Sequence, residues 1–182
     1  MRLIGICGLA RCGKDTFYEI SKSILQKKGL DTRKFAFANS LKEECDELLK
    51  KYTSISAFTE EDGEKILIRP LLVTYGTHIR RKLNENCWIE KIEGEVLDNL
   101  GSGKTVFITD VRFENEMNWI QKIGGKGIHI TRPGTEPANN DERTNDPILK
   151  SKADLSVTCE DFKKGYIKKL RNTVSKALQS LL

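Results

Sequence analysis

The chain has 182 residues, 38% of them hydrophobic and 31% charged, with 31 Lys and Arg against 26 Asp and Glu for a formal charge of +5. That length and balance suit one domain with a sizeable core and exclude a disordered chain. The mild basicity fits a small anionic ligand as readily as nucleic acid, and no polybasic tail is present. In chain order, the apolar run RLIGIC (2–7) is expected to be a buried strand closed by Gly8. Residues 15–29 form a helix with Phe17, Ile20, Ile24 and Leu25 at helical spacing and Gly29 as its stop. A second strand spans 32–38, followed by a helix over 39–52 that Asn39 or Ser40 would cap. Residues 53–65 are polar and read as a mobile connection. Two helices follow, over 66–83 with Pro70 near the start and over 84–100. Then come a strand (105–112), a helix (113–125), a strand (126–134), an exposed flap (135–152), a last strand (153–160) and an amphipathic helix (161–182) with Phe162, Tyr166, Leu170, Val174 and Leu178 on one stripe. Trp88 and Trp119 sit on apolar helical stripes and are expected in the core.

Strands and helices alternate from end to end. That order predicts an α/β fold, a three-layer sandwich of a parallel five-stranded sheet with helices on both faces, in one domain. The opening MRLIGICG is too short an apolar run for a signal peptide, and no stretch approaches a membrane span. The cysteines are Cys7, Cys12, Cys45, Cys87 and Cys159, an odd count with no C-x-x-C pair. They point to free thiols in a reducing, cytoplasmic compartment. With His78 and His129 the only histidines, a zinc site is not expected.

The segment GLARCGKDT (8–16) carries the chemistry. A phosphate loop needs backbone N–H groups at a helix N-terminus to wrap a polyphosphate, which requires little side-chain bulk at its turns. Gly8 ends the strand, Gly13 permits close approach, and Lys14 supplies a cation for the β- and γ-phosphates. Ala10, Arg11 and Cys12 complete the loop. Asp15 stands where Ser or Thr is usual, and the hydroxyl comes one place later at Thr16, a spacing also found in loops of the adenylate kinase type. Asp15 would orient water on Mg²⁺, bond the loop, or simply favour the helix dipole. Two similar stretches fail the same test. GSGKT (101–105) precedes a strand, and its first required glycine is Asp98; SKAD (151–154) has Ser151 where a guanine-reading loop has Asn.

Asp110, at a strand end, is a candidate for Mg²⁺ held through water, or else an N-cap for the next helix. Arg112 would reach a phosphate from the same rim, and Arg132 follows another strand end. Arg80 and Arg81 form a basic step suited to an acceptor phosphate or to solvent, and Lys42 is a cation early on a helix, where an anion would explain it. Arg143, in the flap, would close on the transferred group or stay in solvent.

The ordered set resembles the bacteriophage deoxynucleoside monophosphate kinases, phosphate-loop enzymes that share a superfamily with metazoan phosphomevalonate kinase. The likeness rests on GLARCGKDT (8–16), FANSLKE (37–43), YGTHIRR (75–81), CWIEKI (87–92), ITDVRFENE (108–116), IHITRPG (128–134) and ADLSVT (153–158). It implies a nucleoside-monophosphate-kinase-like fold with the acceptor region at about 37–100 and a lid at about 133–152. It implies that Lys14 and Arg11 hold donor phosphates, with Arg132 near the donor base or the flap hinge. Lys42, Arg80 and Arg112 would address the acceptor or the transferred group, with Phe37, Ala38, Leu41, Gly76, Thr77, Arg81, Trp88 and Glu116 also on the acceptor side. Where the family often has a flap glutamate this chain has Asn145, with Asp141, Glu142 and Asp146 close by, and segment 53–65 is trimmed.

The function expected is ATP-dependent phosphorylation of deoxynucleoside 5′-monophosphates to diphosphates. Lys14, Arg11, Arg112 and Asp110 would be the catalytic group, and Mg²⁺ would sit at Thr16, Asp15 or Asp110. The alternatives are a kinase for phosphomevalonate or dephospho-coenzyme A and a non-catalytic ATP-binding regulator. No nucleic-acid or membrane partner is expected; a homodimer is left open, and a phage-encoded protein would work in the host cytoplasm.

Overall fold

The computed structural model describes residues 2–159 and 166–181. Its elements are β1 (Leu3–Cys7), α1 (Lys14–Gln26), β2 (Thr32–Phe35), α2 (Phe37–Thr53), α3 (Asp62–Val73), a π-helical segment (Thr74–Arg80), α4 (Arg81–Leu83), α5 (Cys87–Gly101), β3 (Thr105–Val111), α6 (Glu114–Lys122), β4 (Lys126–Thr131), α7 (Asn140–Lys152), β5 (Leu155–Thr158) and α8 (Tyr166–Leu181). The five strands form one sheet in the order β2-β3-β1-β4-β5, and every pairing is parallel. This is the sheet that the alternating pattern predicts.

The chain divides into two compact units, one of residues Met1–Phe35 and Glu95–Leu182, the other of Ala36–Gly94 inserted between them in sequence. In the larger unit, strand residues alternate between two faces. Ile4, Ile6, Phe107, Ile128, Ile130 and Val157 pack with Phe17, Tyr18, Ile24 and Leu25 of α1 and with Leu170, Val174 and Leu178 of α8. Tyr18 meets the Phe107 ring edge-on, with centroids 5.3 Å apart. The opposite face carries α6 and α7 against β1 and β4, with Met117 and Ile120 fully buried. The smaller unit closes on Cys45, Leu49, Ala57 and Ile68, with Leu41, Ile55, Leu72 and Tyr75 packed around them.

Several element boundaries differ from the sequence expectation. α2 starts at Phe37 with extended Ala36 as N-cap (φ −144°), so Asn39 and Ser40 lie inside the helix. Burial of Phe37 and Ser40 on one helical face outweighs the capping preference of the polar side chains. α3 begins at Asp62 rather than 66, because Asp62 and Glu64 suit the positive end of the dipole. Pro70 is therefore inside the helix. The segment before it is tied down: Ser56 Oγ and Ala57 N donate to Asp46 at 2.7 and 2.9 Å, and Thr59 Oγ1 donates to Glu64. Most of the expected flap is helix α7, whose N-cap Asn139 accepts from Glu142 N at 2.8 Å. Trp119 is half-buried rather than core, and Phe162 falls outside the described residues.

Phe107→Ala is expected to cost about 3–5 kcal/mol by emptying the centre of this sheet face. Urea unfolding read by circular dichroism checks it, as a drop in midpoint at unchanged slope.

Candidate active site

Because β1 is central, its loop leaves the carboxyl edge of the sheet with β3 and β4 on either side. Open parallel sheets bind ligands at that edge. Gly8 turns there with φ +127°, and a Cβ on it would lie 2.2 Å from the Ile130 carbonyl oxygen, so no larger residue fits. The chain then coils through Arg11 (φ +63°) and Gly13 (φ +108°), left-handed kinks of the kind that form anion-binding backbone concavities. Gly13 is the N-cap of α1 and brings no side chain to cover the helix's first amides. Lys14 Nζ donates to the Gly8 and Leu9 carbonyls, each at 2.7 Å, which holds the ammonium on the loop's own backbone.

A carboxylate already meets this loop. Glu142 Oε2 accepts from Ala10 N at 3.2 Å and from Ala138 N at 3.1 Å, and its Oε1 lies 3.4 Å from Arg112 Nη1. The Glu142 side chain is only 10% exposed. The sequence offers no cue beyond an acidic residue near Asn145. Asn145 itself turns into its own helix and donates to the Asp141 carbonyl at 2.9 Å.

Asp110 is the penultimate residue of β3 and half-buried; it is not a cap, because Phe113 takes that position. Glu116 accepts from Arg112 N at 2.7 Å and Phe113 N at 3.0 Å, and the residue is 1% exposed. That buried carboxylate secures the start of α6. Asp15 is 81% exposed on its side chain and paired with Lys34 at 2.7 Å. Thr16 is half-buried on the first turn of α1. Arg132 follows β4 and is half-buried, with its carbonyl accepting from Thr135 N and Oγ1.

Beneath the loop, buried His129 shares a hydrogen bond with Asp146 Oδ1 at 3.0 Å and another with Thr131 Oγ1 at 3.2 Å. No cluster of three or more metal-ligating side chains occurs among the described residues. Burial pushes the Cys7 thiol up to about 12, with Asp146 adding to the rise. Burial likewise raises Cys12, although nearby Lys14 opposes it.

In the smaller unit, Arg80 Nε and Nη2 donate to the two oxygens of Glu44, both at 3.1 Å. Tyr75 OH donates to Glu44 Oε2 at 2.9 Å, and Lys91 Nζ lies 3.1 Å from Oε1. Burial pushes the Glu44 carboxyl up, but the bonds from Lys91, Tyr75 and Arg80 outweigh it and hold it below its ordinary value. The Arg80 guanidinium stands 5.6 Å over the buried Trp88 ring, whose Nε1 donates to the Gly76 carbonyl at 3.4 Å. Lys42 lies 5.4 Å over Phe58, and Arg81 donates to the Glu85 carbonyl at 3.1 Å. Phe37 and Leu41 serve packing, Phe37 buried and Leu41 against the small core, while Ala38 and Thr77 are half-buried. Each of the expected acceptor residues from Phe37 to Trp88 therefore belongs to this unit, and the expected donor residues belong to the larger one.

A lysine-bearing loop that opens a helix at the centre of a 2-3-1-4-5 parallel sheet defines a phosphate-loop kinase fold. A dephospho-CoA kinase from Campylobacter jejuni shares it with a TM-score of 0.52 and 18% identity, over 98% of this chain and 96% of that one. So does the protein TT1252 from Thermus thermophilus, with a TM-score of 0.52 and 14% identity over 98% and 96% of the two chains. At such identities the likeness is one of fold alone. No curated protein sequence matches the chain. The family model for deoxynucleotide monophosphate kinase matches residues 46–172, and the chain belongs to that family. Its reaction is phosphorylation of a deoxynucleoside monophosphate, with ATP as donor. The matched segment begins after the loop, so loop geometry and family match are separate supports.

All five cysteines are buried, and none of them is in a disulfide among the described residues. Their thiols are expected to react slowly with Ellman's reagent at neutral pH in the folded protein and fully after denaturation. Rapid modification of the native protein would contradict that burial.

Proposed function

We propose that the loop from Gly8 to Lys14 takes the triphosphate tail of ATP, and that the unit Ala36–Gly94 takes the deoxynucleoside monophosphate. The observation that carries this reading is the loop itself: two left-handed kinks before an uncapped helix start, with the Lys14 ammonium held on the loop's carbonyls. An acceptor phosphate oxygen forms the new bond to the γ-phosphorus while the bond to the β–γ bridging oxygen breaks, and ADP leaves with that oxygen and its charge. The acceptor phosphate is a nucleophile at neutral pH, so no general base is needed, which accords with a site built from cations.

Lys14, Arg11 and Arg112 would neutralise donor and transferred phosphates, while Lys42 and Arg80 would meet the acceptor's phosphate. Arg132 would flank the donor base. Alignment of two anions against their repulsion is then the main catalytic contribution. Thr16 and Asp110 offer the hard oxygen donors that suit Mg²⁺, and such sites need only one or two protein ligands besides phosphate. Asp15 fits less well, since it is exposed and already paired with Lys34. Bound there, Mg²⁺ would supply charge neutralisation for the donor phosphates. No helix among the described residues is long and apolar enough to cross a membrane, and a cytoplasmic setting accords with the free thiols.

Glu142 currently holds Ala10 N and Arg112, two groups that this reading assigns to phosphate. An incoming phosphate replaces the carboxylate at them.

Lys14→Ala is expected to lower kcat at least about a hundredfold with the melting temperature little changed, read by coupled ADP release. Near-normal turnover would end the donor assignment. Glu142→Gln is expected to lower the KM for ATP; an unchanged or higher KM would show that the carboxylate does not compete with phosphate. A panel of the four deoxynucleotides, their ribose forms, dephospho-coenzyme A and phosphomevalonate, scored by ADP formation, identifies the preferred acceptor.

A further inference from the structure

The π-helical segment Thr74–Arg80 creates a contact that a regular helix would not make. On an α-helix, residues five apart diverge by about 140° around the axis, so Tyr75 and Arg80 would point to different sides. With i→i+5 bonding they stack on one side, and both meet the same carboxylate, Glu44 of α2. Close approach of the two helices is allowed at Gly76, where a Cβ would stand 2.8 Å from Leu41 Cδ2. Wide π turns recur at functional sites, because the widened turn has to be held by contacts outside the helix.

We propose that Glu44 is a positioning residue for acceptor binding: it fixes the Arg80 guanidinium over the Trp88 ring, so that the cation is preset for the monophosphate. This rests on the reading of Arg80 as an acceptor cation. Two bonds from Nε and Nη2 to the two oxygens of Glu44 fix the plane of the guanidinium, and neither uses Nη1. The guanidinium carbon also stands 5.6 Å from the Trp88 ring centroid, a second contact that holds it. Lys91 shares the carboxylate, so one negative charge stands against two positive ones and the cluster keeps a net positive charge for a phosphate dianion. Tyr75 contributes a neutral donor, which holds the carboxylate without changing that balance.

The test measures KM for the preferred deoxynucleoside monophosphate and for ATP, with kcat and melting temperature, in the full chain and in Glu44→Gln, Tyr75→Phe, Arg80→Ala and the double variant Glu44→Gln/Arg80→Ala. Glu44→Gln should raise the acceptor KM about tenfold, with the ATP KM within about twofold of the parent. Tyr75→Phe should raise the acceptor KM about two- to threefold, and the double variant should be no worse than Arg80→Ala, because both changes remove one device. If Arg80→Ala raises the acceptor KM while Glu44→Gln and Tyr75→Phe leave it unchanged, the positioning role of Glu44 is overturned and the reading of Arg80 stands. If Arg80→Ala itself leaves the acceptor KM unchanged, the acceptor reading fails and the proposal with it. A rise in both KM values together, with a large fall in melting temperature, makes Glu44 a structural ion pair only and also overturns the proposal.

Discussion

The contact between the turn at Gly8 and the Ile130 carbonyl governs this molecule. The carbonyl belongs to β4, the neighbour of β1, and it leaves no room for a side chain where the first strand must turn. The backbone therefore bends at once into the loop, and the loop's kinks at Arg11 and Gly13 set the axis on which α1 begins. Lys14 completes the arrangement by bonding the loop's own carbonyls. A cation held in this way costs little reorganisation when an anion arrives, which is the condition electrostatic catalysis requires.

Around that loop, acidic side chains act as holders of backbone and cations. Glu116 secures two amides at the start of α6, and Glu142 links a loop amide to Arg112. In the smaller unit Glu44 gathers Arg80, Tyr75 and Lys91. Asp154 gathers Gly127 N, Lys126 and Gln121 between β4 and the end of α7. For Asp154, burial raises the carboxyl while these bonds pull it below its ordinary value. Glu44 behaves alike, so both contribute stability that is present above the ordinary carboxylate range and lost as pH falls through their lowered values. The acid limb of stability should therefore report these two clusters.

Much of this was legible in the residues. The five strands were visible as short runs between helical stretches, with Gly8 closing the first and Pro133 the fourth, and the parallel sheet followed from their alternation with helices. The loop was legible because its glycines and lysine answer a local steric demand. The helix within the flap segment was not read because Pro147 and a polar composition conceal it, although its cap, Asn139, and first-turn acids Asp141 and Glu142 are a guide. The cap of α2 was misread because burial of Phe37 is a tertiary effect that overrides a local preference. The resemblance placed Glu116 on the acceptor side, but the residues themselves did not show that its carboxylate accepts from the amides at the start of α6.

What the sequence alone determined is the order of elements, the phosphate loop and the set of cations, since each depends on neighbours within a few residues. Only the tertiary structure decided which carboxylate each cation meets. Arg80 reaches Glu44 and Arg112 reaches Glu142 across separations of 36 and 30 residues, through a widened helical turn in one case and a strand rim in the other. Such pairings depend on backbone geometry at ångström scale, and no periodicity in the chain encodes it.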